Sequence, residues 1–400
     1  MDLGNGLGHL TYSTLVHPGD TWDDIWASLT TYVPAVKERV SPDRRFGVSL
    51  RLSAASVGRL RADAAERGRL RTFLDDNDLY LYTANAFPYG PFKNTVVMED
   101  VYEPDWRTDA RAEYTMAVAD ILAEVGGEGV NPSIQTAPLG FKPKVTGPDV
   151  VDAYTRQVTR VVGHLVELEA RTGRTVTLAL EPEPHCYLET TDETVAYFAN
   201  HLFGDAVAGD LAQRAGLSRG DAADAMRRHV GVVFDVGHQS VQFEDVYASL
   251  QKLADAGIEV LKLQEAAALH VSEVTPAVID ALRPFTDTVY LTQTVQRDEN
   301  GLTRFLHLAD AIEAWEARPT RCEWRTHFHM PVFLDDLGDF RTTRFVLEDA
   351  LAFHRRNRLS AQLEIETYTW DVLPAHLKHG TIVDYVCREL EWVAAQLSGG

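Results

Sequence analysis

The chain is short of cysteine, of positive charge and of long apolar runs, and each shortage removes a class of protein. Cys186, Cys322 and Cys387 are its three cysteines, an odd number with no CxxC spacing. Neither a disulfide framework nor a thiolate zinc site organises such a chain, and inert buried thiols are expected. Lysine and arginine total 38 against 59 aspartates and glutamates, a formal net charge of -21. That surface repels a phosphate backbone, so nucleic acid is not an expected partner, while divalent cations are drawn to it. No window reaches the roughly eighteen uninterrupted apolar residues of a membrane span. The first residues, "MDLGNGLGHL", have neither the basic nor the apolar part of a secretory leader. A cytoplasmic, membrane-free protein is the expectation.

What the chain does have is 45% hydrophobic residues over 400 positions, enough for a sizeable core. Short apolar segments rich in β-branched or aromatic residues alternate with long segments of helical period, the pattern of βα units around a parallel sheet. Eight such strands are predicted: 9–17, 46–53, 79–87, 131–138, 176–183, 230–237, 258–264 and 361–368. Eight closes a barrel, so the predicted fold class is α/β, a (β/α)8 TIM barrel with loop insertions. Thr21 and Asp24 spell a capping box ahead of the apolar stripe Trp22, Ile25, Trp26, Leu29, Val33 and Val36. Pro148 and Gly173 bracket a wall helix, and Gly257 ends another. The polar stretch 204–229 reads as a helical excursion and 265–330 as an insertion. No linker or repeat divides the chain, which is read as one domain over 1–400.

In this architecture the active site is built at the carboxyl ends of the strands. The last polar residues there are His17, Arg51, Asn85, Gln135, Glu181, Asp235, Gln264 and Glu366. Any one of them can be simple polarity where a strand meets water. The second half is sharper, because "ALEPEP", "VFDVGH" and "EIET" each put a carboxylate behind an apolar run, and unpaired buried carboxylates are costly. Three that converge call for a cation, and oxygen donors suit Mg2+, Mn2+ or Zn2+. Asp235 is then a ligand, and Gly237 is expected to permit a sharp exit that turns His238 back toward substrate or metal. Glu183 and Glu364 share strand faces with Glu181 and Glu366 and rank below them, in supporting or solvent roles. In "WRTHFHMP", Arg325, His327 and His329 alternate and share one face if extended. His327 is placed with the substrate-binding residues, His329 is a further candidate ligand, and Arg325 could clamp an anion. "FPYGPF" and "DVYEPDW" read as proline-stiffened loop packing, with a substrate wall as the second reading.

These motifs resemble the xylose-isomerase-like TIM barrels of sugar isomerases, epimerases and some dehydratases. The resemblance implies one divalent ion held by Glu181, Asp235, Gln264 and Glu366 on the last four strands. Further, "GHLTYSTLVHPGDTW", "LRLS", "NAFPYG", "VYEPDW" and "HFHMPVF" resemble the EboE-type metabolite traffic proteins, which implies a small metabolite and a link to secondary metabolism. The expected function is metal-dependent isomerisation, epimerisation or dehydration of a sugar-, cyclitol- or polyol-like carbonyl compound through an enediolate, with Glu181 and Glu366 as base and acid. His17, Arg51, Asn85, Gln135, His238, Arg325 and His327 are the expected substrate contacts. Two alternatives stand beside it: a multi-metal phosphoester hydrolase using His327 and His329, and a non-catalytic metabolite-binding barrel. A homo-oligomer is compatible with either.

Overall fold

The computed structural model describes residues 1–398 apart from 94, 287–288, 375–376 and 379. Seven strands follow one another before the chain leaves the barrel: β1 (His9–Tyr12), β2 (Phe46–Arg51), β3 (Leu79–Asn85), β4 (Ser133–Thr136), β5 (Thr177–Leu180), β6 (Val230–Asp235) and β7 (Val260–Glu265). A second sheet holds β8 (Ala267–Val271), β9 (Thr294–Asp298), β10 (Gly301–Phe305), β11 (Glu323–Met330) and β12 (Arg341–Thr342), and β13 (Gln362–Ile365) returns to the barrel. Seven of the eight predicted segments contain a whole barrel strand, and the segment 258–264 covers β7 except for its last residue, Glu265. They pair in parallel in the order β1-β13-β7-β6-β5-β4-β3-β2, and a parallel bridge between Ser13 and Ser49 joins the outer pair. The strands are buried along almost their whole length, as both faces of a parallel barrel require.

The helices carry the end signals read from the sequence. Thr21 and Asp24 form the capping box of the helix Trp22–Val40. The helix Pro148–Thr172 starts on its proline and ends at Gly173, whose φ of 69° is left-handed. The polar stretch 204–229 holds two helices, Asp205–Ala215 and Arg219–His229.

A single residue, Ala266, separates β7 from β8, so the second sheet is fastened to the mouth of the barrel. It is antiparallel, ordered β10-β9-β11-β8-β12. On one face Trp324, Phe328 and Met330 of β11 pack with Leu269, Phe285 and Ile312 in an apolar cluster of their own. Alternation along β11 turns Arg325, His327 and His329 the other way. The pairing is irregular there: Thr326 faces Leu269 and Met330 faces Ala267, four residues against two. Such a bulge interrupts the ladder with β8, while on the other side the His327 N–H still donates to the Gln293 carbonyl at 2.8 Å.

The long loop after β3 is held from beneath by Arg111, fully buried on the helix Asp109–Val125. Its guanidinium donates to the carbonyls of Ala86 (3.1 Å), Phe87 (2.9 Å) and Pro104 (2.8 Å). Replacing it by Met keeps the bulk but orphans three buried acceptors. At about 1–3 kcal/mol per buried unsatisfied group, Arg111→Met is expected to cost at least about 3 kcal/mol. A lower urea midpoint and faster proteolytic nicking between residues 88 and 104 would record it.

Candidate active site

Asp235 ends β6 and caps the helix Val236–Val241, its Oδ1 accepting from the backbone N–H of His238 at 2.8 Å. One oxygen is therefore committed to a helix N-terminus and the other is aimed at the barrel axis. The cap also fixes His238, three residues on. Gly237 does not make the sharp exit expected of it. It is an ordinary helical residue, and glycine is needed for space: a Cβ there would sit 3.0 Å from both Ala266 Cβ and Asp235 Oδ1.

Glu181 and Glu366 lie one residue past β5 and β13, and Gln264 is the penultimate residue of β7. The Gln264 side-chain nitrogen lies within hydrogen-bond reach of Glu181 Oε1 (2.9 Å), Glu366 Oε2 (2.7 Å) and Asp235 Oδ2. All four residues are buried. An amide nitrogen has two hydrogens and cannot serve three carboxylates, while Gln264 Oε1 is buried without a partner. The outer oxygens are pinned by two more amides: Gln135 to Glu181 Oε2 (2.7 Å) and Asn85 to Glu366 Oε1 (2.9 Å). Below them, fully buried Lys262 donates to Gln135 Oε1 (2.7 Å) and Glu364 Oε2 (2.9 Å). That ammonium decides which end of the Gln135 amide meets Glu181.

Burial pushes the Glu366 carboxyl up to about 8, reinforced by Glu364 and Asp235. It takes Glu183 to about 8 as well, and Glu181 rises well above the usual range through burial and then repulsion from Glu366 and Asp235. Burial has the opposite sign for imidazoles, lowering His238 to about 4 and His327 well below its usual value.

His238, His327 and His329 meet beside the carboxylates. Their Nε2 atoms are 3.1 Å apart from His238 to His327 and from His327 to His329. His238 Nε2 is 3.9 Å from Asp235 Oδ2. Aromatic side chains wall the pocket above this cluster: Phe87, Phe92, Tyr102, Tyr290 and Tyr368. The loop containing "FPYGPF" and "DVYEPDW" supplies the first three, so these residues line the pocket as well as pack. No lysine or arginine is among the described residues that line it.

Among the sequence-derived site residues, the structure gathers Glu181, Asp235, Gln264, Glu366, Asn85, Gln135, His238, His327 and His329. Asn85 and Gln135 reach the pocket wall but spend their amides on carboxylates. It does not bring His17, Arg51 or Arg325 there. β1 stops at Tyr12 and a 3-10 turn, Thr14–Val16, carries His17 away, to bond Tyr12 and stack on Tyr32. Arg51 pairs with Asp20 at 2.9 Å and donates to the carbonyls of Gly19 and Gly90, tying loops together. Arg325 donates to the Ser240 carbonyl and lies over the Phe243 ring at 4.2 Å. It has no free face for an anion. Glu183 and Glu364 are buried, which rules out a solvent role: Glu183 accepts from Tyr102 at 2.7 Å, and Glu364 pairs with Lys262. Lys262, Gln293 and Tyr368 were not named from the sequence, and Tyr102 was seen only as part of "DVYEPDW". Lys262 had a signal, since it lies two residues before Gln264 on the inward face of the same strand; Gln293 and Tyr368 had none.

A divalent cation fits this donor set. Glu181, Asp235 and Glu366 supply anionic oxygens, and a half-turn of the Gln264 amide brings its unpartnered Oε1 to the same point. Among solved structures the chain is similar to a xylose isomerase-like TIM barrel protein from Mycobacterium smegmatis in complex with magnesium. The identity is 12%, the alignment covers 97% of this chain and 99% of that one, and the TM-score is 0.48. It is also similar to the IolI protein with a bound zinc atom (9% identity, 98% of each chain, TM-score 0.47). A xylose isomerase domain protein from Planctomyces limnophilus matches at 14% identity over 88% of this chain and 86% of that one, with a TM-score of 0.44. No family model and no curated protein matches the sequence. At these values the likenesses say nothing of this chain's chemistry.

The carboxyl shifts set a pH dependence. Glu183 and Glu366 keep their protons up to about pH 8 when folded, whereas the unfolded chain ionises near 4.5. The folded state therefore binds more protons in that window, and stability falls as pH rises. The buried histidines act the other way, but only below their unfolded value of 6.5. From pH 6.5 to 8 the melting temperature of metal-free protein is expected to drop. Mn2+ or Mg2+ should restore it, by a margin that grows with pH because the ion competes with protons. Scanning fluorimetry across this range, with and without the ion, measures both effects.

Proposed function

We propose that the chain is a divalent-metal-dependent enzyme that moves a proton on a neutral, polyhydroxylated carbonyl compound, giving isomerisation, epimerisation or dehydration. The observation that carries this reading is the convergence of Glu181, Asp235 and Glu366 on one buried amide nitrogen. An ion held by these residues and Gln264 would supply positive charge beside a carbonyl oxygen, easing the negative charge left by loss of the α-proton. Glu181 and Glu366 serve as base and acid. Their carboxyls share a donor, and burial with repulsion from neighbouring carboxylates raises the proton affinity of both, as an acid and base working on one substrate require. Gln135 and Asn85 hold the two in place, and Lys262 holds Gln135. Aromatic walls exclude water and suit the apolar faces of a sugar or cyclitol ring.

The absence of lysine and arginine from the described lining supports a neutral substrate, since phosphate and carboxylate groups are usually met by guanidinium or ammonium. The same feature weighs against the phosphoester hydrolase, although His327 in the pocket wall, with His329 buried behind it, keeps it as the second reading. A small metabolite is the partner this pocket suits; nucleic acid is disfavoured by the acidic surface.

Glu181→Gln and Glu366→Gln should each lower turnover by about 10²–10⁴-fold, the usual contribution of a positioned acid or base, with the fold unchanged. The assay is α-proton exchange in D2O, followed by NMR over a panel of keto sugars and keto cyclitols with Mn2+, Mg2+ or Zn2+. Chelator-treated protein should be silent. A fully active variant at either glutamate contradicts the roles assigned to them.

A further inference from the structure

The cavity above the carboxylates has a volume of about 500 Å3, and its chemistry changes from one end to the other. Glu181, Glu183, Glu366, His238, His327 and the amides of Asn85 and Gln135 lie together at the floor. Beyond them, no charged, amide or imidazole side chain is among the described residues that line it. Three segments far apart in sequence build this upper part. The loop after β3 brings Phe92 and a half-buried rim of Val97, Met98 and Val101. The inserted segment brings Tyr290 and Leu291, and the turn after β13 brings Tyr368.

These side chains form a built wall. Phe92 and Tyr290 stack at 4.9 Å, and Tyr368 meets both edge-on, at 5.6 and 5.2 Å. The Val97 N–H donates to the Val289 carbonyl at 3.3 Å, which fastens the loop to the inserted segment. The Tyr102 hydroxyl donates to Glu183 and the Tyr368 hydroxyl lies 3.4 Å from His327 Nε2, so both phenols turn their polar ends to the floor. Met98 has a φ of 41°, in the left-handed region that residues with a side chain rarely adopt. Such a conformation persists only where the surroundings impose it. Here it begins the 3-10 turn Met98–Tyr102, which sets Met98, Val101 and Tyr102 into the lining.

A polyhydroxylated ring needs a partner for each hydroxyl that it buries, and a buried hydroxyl without one is strongly disfavoured. The floor can satisfy the end of a ligand that carries the carbonyl and its neighbouring hydroxyls. The wall cannot satisfy more. We infer that the substrate is amphipathic: a polyhydroxylated carbonyl head for the floor, joined to an apolar alkyl or aryl substituent that occupies the space lined by Phe92, Tyr290, Met98 and Val101. This rests on the floor acting on a polyhydroxylated carbonyl compound, and it adds the other half of the ligand. Burying the apolar group gives such a molecule a source of binding that a bare sugar lacks, which makes the wall the determinant of specificity.

The test is calorimetry on full-length, Mn2+-loaded protein with the methyl, hexyl and phenyl 3-keto-β-D-glucopyranosides. The hexyl and phenyl compounds are expected to bind at one site per chain, roughly tenfold or more tighter than the methyl compound. Burial of about two of the added methylenes accounts for that factor. Val97→Asp, which places a charge on the half-buried rim, should erase most of the preference. Hexyl and phenyl compounds that bind no tighter than the methyl one, or not at all, overturn the proposal, as does a preference unaltered in Val97→Asp. Should Val97→Asp fail to fold, the wild-type series decides alone. α-Proton exchange on the same compounds separates this inference from the reaction: preference without exchange upholds the substituent site and removes the chemistry, whereas exchange without preference overturns the substituent site alone.

Discussion

Like charges crowded out of water at the barrel mouth are the constraint on which the rest of this molecule turns. Glu181, Asp235 and Glu366 are buried within reach of one amide, and below them Glu364 adds a fourth carboxylate. Nothing in a low-dielectric interior makes such an assembly stable by itself. The fold answers with a graded set of neutralisers. Protons are retained on some carboxyls, Asn85 and Gln135 donate to others, a helix N-terminus takes one oxygen of Asp235, and Lys262 pairs with Glu364. What these devices leave unbalanced defines a place for a cation.

A buried network of this kind demands that every member be oriented, and the order of assembly can be followed residue by residue. Glu364 anchors Lys262, Lys262 orients Gln135, and Gln135 holds Glu181. Strands β3 to β7 and β13 each contribute at or just past a fixed height, so the chain of contacts is set by register rather than by loop conformation. The histidines obey a different logic. Their positions come from a helix cap and from an irregular strand in a separate sheet, joined to the barrel through the single residue Ala266.

How much of this was legible beforehand follows from what each signal encodes. Strand count, parallel order and the carboxylates Glu181, Asp235 and Glu366 were visible because alternation and apolar runs are local properties. His17 was misplaced because a strand was read five residues too long, and nothing in "LTYSTLVH" marks the turn that begins after Tyr12. Arg51 and Arg325 look like binding residues by type; only their partners, Asp20 and Ser240 with Phe243, show them as structural. Lys262 was overlooked although its place on β7 follows from the same alternation that identified Gln264.

The sequence by itself determined the repeating strand and helix periods, the helix ends and the residue types available at the strand termini, since these depend on neighbours a few positions apart. Only the tertiary structure decided which side chains share a point in space. The inserted segment could be seen as extra chain, but not as a sheet that carries His327 and His329 to His238, because that meeting joins residues 89 positions apart in sequence. Nor could any pattern reveal which polar atom each buried histidine meets at its Nδ1. Proton placement is fixed by partners, and partners are chosen by folding.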